Sequence, residues 1–64
     1  VNTEKAIEDA YSAHIAALYK TLSQTILLAN GDQAEISAAE VRFSKGLAHA
    51  AEIRARARRL AGLE

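Results

Sequence analysis

His14 and His49 are the only histidines in the chain, and a search for chemistry starts with them. Imidazole is the commonest transition-metal ligand and a ready proton carrier. In a chain folded back about residue 33, position 14 lies opposite about 52, which puts His49 roughly one helical turn away along the axis. Glu52 is then the nearest further donor. Two-helix metal sites carry their ligands as Glu-x-x-His or His-x-x-x-His pairs, and neither spacing occurs. The expectation is therefore two histidines at the borders of apolar faces, with no metal and no cofactor.

Nucleophilic and phosphate chemistry find no better footing. There is no cysteine, no Gly-x-Ser-x-Gly elbow and no glycine-rich phosphate loop. Ser12, Ser23, Ser37 and Ser44 lie in strongly helix-forming sequence, where serine serves as polar surface or as a cap. No catalytic residue is assigned, and the chain is not expected to be an enzyme.

The remaining chemical feature is a cluster of cations, Arg54, Arg56, Arg58 and Arg59, within the last eleven residues. Arginine makes many of the phosphate contacts in nucleic-acid complexes, so a small nucleic-acid-binding regulator of plasmid or phage type is the alternative reading. Two observations favour a structural role. Cations in a last helical turn complement the helix dipole, and no aromatic residue is interleaved to stack on bases.

These side chains must be positioned by helices. Proline is absent, the only glycines are Gly31, Gly46 and Gly62, and alanine alone accounts for 15 of the 64 residues. The one clear break is Ala29-Asn30-Gly31-Asp32, where Asn and Gly tolerate the left-handed conformation that ends a helix. One domain over residues 1–64 follows: helix 1 over about 3–29, a turn over about 30–36, and helix 2 over about 37–62. Both Asp32 and Ser37 begin a capping box, with Glu35 and Glu40 three residues on. Ser37 adds a hydrophobic staple between Ile36 and Val41 and is the favoured cap. The fold class is all-α, an antiparallel two-helix hairpin.

Helix 1 carries an apolar row at Ile7, Tyr11, Ile15, Leu18, Leu22, Ile26 and Ala29, at the period of an ordinary helix. Leu27 falls on the opposite side. Helix 2 shows a coiled-coil-like heptad seam at Ile36, Ala39, Phe43, Gly46, Ala50, Ile53, Ala57 and Leu60. Its small members admit a close partner, with Phe43, Ile53 and Leu60 as the large knobs. A second row, Ser37, Ser44, Ala48, Ala51 and Ala55, is turned roughly 140° from that seam.

Size and charge bound the function. A domain of this length buries only ~60% of the surface its unfolded chain exposes, and no disulfide is available to staple it. Small chains in this position commonly oligomerise, so dimerisation into a four-helix bundle is expected. Formal net charge is zero, which speaks against a generally basic polyanion binder. The balance hides a split: residues 1–40 hold two lysines against six acids, and residues 41–64 hold six cations against two acids. In an antiparallel hairpin the basic end of helix 2 meets Glu4, Glu8 and Asp9, satisfying both helix dipoles. Residues 10–31 carry one charge, Lys20, but too many polar side chains for a membrane span. No basic-then-apolar secretory leader opens the sequence, and a cytoplasmic setting is the default expectation. Methionine is absent, which points to a removed initiator or a fragment.

This plan is similar to that of the small plasmid-encoded Rop-type hairpins, two helices of this length with a short turn that pair into a four-helix bundle. Those proteins bind paired RNA loops through polar and aromatic residues along helix 1. The exposed side of helix 1 here offers only Lys5 and Lys20 as cations, so no functional residue transfers. The functional expectation is a small interaction protein acting by self-association, or as an adaptor or subunit in a larger assembly. Its surfaces are Tyr19, Leu27, Phe43, Ser44, Ala48, Ala51 and Ala55, with no membrane contact and nucleic acid only as the alternative.

Overall fold

A computed structural model of the protein describes residues 2–63, so the ends of the expected domain, Val1 and Glu64, lie outside the described residues. It is an all-α hairpin, helix α1 over Thr3–Ala29 and helix α2 over Gln33–Leu60. Asn2 caps α1 in extended conformation, its side-chain oxygen accepting from the Lys5 N–H at 3.0 Å. Glu4 in the first turn complements the positive end of the dipole.

The reversal is tighter than the sequence suggests. Asn30 and Gly31 both take positive φ, 49° and 87°. The Asp32 N–H donates back to the Ala29 carbonyl at 3.0 Å, closing a turn that resembles type I′, for which Asn-Gly is a preferred sequence. Asp32 then caps α2 directly, accepting from the Ala34 and Glu35 N–H groups at 3.0 and 3.2 Å. The expected helix start at Ser37 is thus corrected to Gln33, and the turn shrinks from 30–36 to 30–32. An aspartate immediately after the turn leaves no donors waiting for a later cap, so Ile36 becomes part of the helix. At the far end, Gly62 (φ 77°) donates to the Arg59 carbonyl and Leu63 to the Arg58 carbonyl, at 3.0 and 2.9 Å. This is the Schellman pattern that satisfies the last helical carbonyls.

The helices run antiparallel along a body about 45 Å long, consistent with ~1.5 Å of rise per residue. Their shared interface is thin. Ala29, Ala39 and Ala50 are its buried apolar residues, at 6%, 3% and 1% exposure, and no large side chain among the described residues is fully buried. The α1 row from Ile7 to Leu22 is half-buried, while Ile26 is 36% exposed.

The heptad seam of α2 holds through Ala50 and then departs from expectation. Ile53 and Leu60, two of the three expected knobs, are exposed; Ala57 keeps its seam position, and Arg54 and Arg58 turn inward beside it. An unsupercoiled helix drifts ~20° per heptad, enough over this length to rotate position 53 out and position 54 in. The stems of Arg54 and Arg58 then cover apolar surface while their heads reach acids.

Candidate interaction faces

Tight reversal sets the register, and register decides which side chains meet. Glu8 is level with Arg54, His14 with His49, and Leu18 with Gly46. The expected register placed residue 52 opposite His14. The shorter turn shifts α2, so His49 itself stands across from it, with ring centroids 6.1 Å apart and planes at 81°. No third donor joins them: among the described residues no group of three or more His, Cys, Asp or Glu is placed to hold a metal ion.

The open end of the hairpin carries the densest electrostatics. Arg54 Nε donates to both Glu8 carboxylate oxygens, at 2.8 and 3.0 Å. Arg58 Nη1 donates to Glu8 at 3.0 Å and to Glu4 at 3.3 Å. The Arg54 guanidinium also lies 5.4 Å from the Tyr11 ring centroid, within cation–π range. The hydrogen bond from Arg54, aided by Arg58 and opposed by partial desolvation, holds the Glu8 carboxyl below the usual glutamate range. Glu8 in turn raises Arg54 above the ordinary arginine value. Asp9 pairs with Lys5 along α1 at 2.7 Å, and Arg56 with Glu52 along α2 at 2.9 Å. Three of the four clustered arginines are therefore engaged with carboxylates.

Two broad faces flank the line joining the helices. One contains the Glu8–Arg54 pair. At helical spacing, Ile15, Tyr19 and Ile26 fall on it from α1. Glu40, Ser44, Leu47 and Ala51 do so from α2, with Ala55 at its edge. The other contains His14 and His49 and a shallow depression of about 240 Å³, walled by Leu18, Leu22 and Phe43. Such a shallow hollow is smaller than ligand pockets usually are, which run from roughly 300 Å³ upward.

The sequence-derived surface residues divide accordingly. Tyr19 is 67% exposed, and Ser44, Ala48 and Ala51 are exposed. Ala55 is half-buried, and Phe43 sits at the helix–helix seam rather than on an open surface. Leu27 is 77% exposed but lies on the back of α1, about 100° beyond Ile26. Sequence reasoning passed over Leu28 as a surface residue, at 82% exposure, and Glu40, an exposed carboxylate that helical spacing places on the Glu8–Arg54 face. The signal for Glu40 was present in its seven-residue spacing from Leu47 and Arg54.

Comparison with protein-family models, with curated proteins and with solved structures finds no match to this chain. Among the described residues, no helix is long and apolar enough to cross a membrane.

Proposed function

We propose that the chain is a non-enzymatic helical interaction module whose work is to pack against other helices. Its simplest form is a homodimer closing into a four-helix bundle in the cytoplasm. The observation that carries this reading is the interior: its buried apolar residues are three alanines, no large side chain among the described residues is fully buried, and Tyr19 and Ile26 stand open on one face. Burying apolar area contributes ~25 cal/mol per Å², and a seam built on alanine supplies little of it. A partner surface supplies the rest. A role as subunit or adaptor uses the same surface with a different helix as partner.

The test is the dependence of thermal unfolding on protein concentration, because association with the folded state raises the midpoint by mass action. The expected result is a midpoint that climbs over a hundredfold concentration range, with sedimentation giving twice the chain mass at the upper end. A constant midpoint and a single-chain mass throughout would reject self-association.

A further inference from the structure

We infer that the second copy docks on the Glu8–Arg54 face, antiparallel to the first, so that Glu40 of each copy meets Arg54 of the other. The inference rests on the self-association reading above and adds the face and the direction.

The pattern on α2 is the first support. Glu40, Leu47 and Arg54 recur every seven residues and so form one stripe, reading acidic, apolar, basic. Leu47 sits at the mid-height of the hairpin, since level pairs such as Leu18–Gly46 and His14–His49 place it opposite about residue 16, the centre of α1. Glu40 and Arg54 therefore stand about 10 Å above and below it. A two-fold axis across the face at Leu47 reverses α2 onto α2 of the copy. Leu47 then meets Leu47, and Glu40 comes level with the copy's Arg54, twice over by symmetry. The parallel alternative stacks α1 on α2 and sets Glu40 between the copy's Tyr19 and Ile26, leaving a carboxylate against apolar surface.

Composition and size are the second support. The face carries the apolar side chains Ile15, Tyr19, Ile26 and Leu47, with Glu40 standing among them on one side of mid-height and the Glu8–Arg54 pair on the other. Its outline of 45 by 17 Å amounts to roughly 800 Å² per copy, the contribution of one partner to a standard interface. The opposite face places Arg42 at two depressions, one beside Phe43 and one between Leu28 and Ala38, where an opposed copy would cover the guanidinium.

The experiment uses the full chain at concentrations where the parent is dimeric. Glu40→Arg sets a cation against the copy's Arg54. It is expected to weaken association tenfold or more with helicity retained, since Glu40 is exposed in the hairpin. Ala38→Arg, exposed on the other face, is expected to leave association unchanged. Leu47→Cys is expected to form a disulfide between copies on mild oxidation, and Ala17→Cys is not. A dimer whose affinity survives Glu40→Arg, or one cross-linked through Ala17→Cys and not Leu47→Cys, overturns the inference. A parent that is monomeric at every concentration rejects the underlying self-association reading instead.

Discussion

Leu18 packs so closely on Gly46 that a Cβ added to the glycine would lie 2.5 Å from Leu18 Cδ2 and 3.1 Å from Cδ1. Gly46 is helical and does not use a positive φ, so its missing side chain serves the helix–helix approach. This is the point where the small residue in the α2 seam is spatially required.

Two effects oppose each other at that position. Alanine gains ~1 kcal/mol of helix propensity over glycine, whereas overpacking costs about 1–3 kcal/mol. The contacted atoms are the tips of a movable side chain, so Gly46→Ala should fall within about 1 kcal/mol of the parent. In a Leu18→Ala background the clash is gone and Gly46→Ala should stabilise by about 1 kcal/mol. Chemical denaturation of the four proteins of this cycle checks it. Equal effects in both backgrounds would show that Leu18 and Gly46 do not press on each other.

The Glu8 cluster predicts an acid-sensitive hairpin. Its carboxyl is held below the ordinary glutamate value by Arg54 and Arg58, so the folded state binds this proton less readily than the unfolded one. The resulting stabilisation is complete above the unfolded glutamate value and is lost as pH falls through the lowered folded value. The pair is partly exposed, 38% and 37% at the two side chains, so the effect is modest and salt-weakened. Thermal midpoints from neutral to acid pH should fall more steeply for the parent than for Glu8→Gln. Parallel curves would refute the assignment.

Reversal geometry supplies the next prediction. Gly31 has φ +87° with open space where a Cβ would go, so the cost of Gly31→Ala is conformational, about 1–2 kcal/mol. Asp32→Ala removes the acceptor of two N–H groups and should cost about 1 kcal/mol. Ser37→Ala should cost almost nothing, because Ser37 lies inside α2 and caps nothing. Urea midpoints separate the three; a Ser37→Ala effect as large as that of Asp32→Ala would contradict the observed helix start.

Much of the fold was legible because helix formers fill the chain and one Asn-Gly pair interrupts them. The start of α2 was misplaced because two capping boxes compete, and the staple of Ile36 with Val41 outweighed the adjacency of Asp32 to the turn. That error of four residues propagated into register and put His49 a turn from His14. Reading the heptad as far as Leu60 failed for a different reason: an unsupercoiled helix rotates it away, and Arg54 and Arg58 fill the gap with their stems. The charge pairing across the open end was readable because both dipoles and both charge clusters favour it. Glu40 was read only as the capping partner of Ser37, and its seven-residue spacing from Leu47 and Arg54 went unused.

Folding and association can be separated by position. Tyr19 is 67% exposed, so in dilute solution Tyr19→Ala removes little intramolecular burial and should change stability by no more than ~0.5 kcal/mol. Leu22 is half-buried against α2, and Leu22→Ala should cost roughly 1–2 kcal/mol at any concentration, below the range of fully buried leucines. At high concentration the order changes. Tyrosine is enriched among interface hot spots, so Tyr19→Ala should then lower the thermal midpoint while its dilute value stays near the parent's. Leu28→Ala is the control, being 82% exposed and outside the Glu8–Arg54 face, and should be silent in both regimes. Calorimetry or circular dichroism at two concentrations reads the difference directly. A Tyr19→Ala effect that is the same in both regimes would place that ring in the folding of the single hairpin and remove it from the interface.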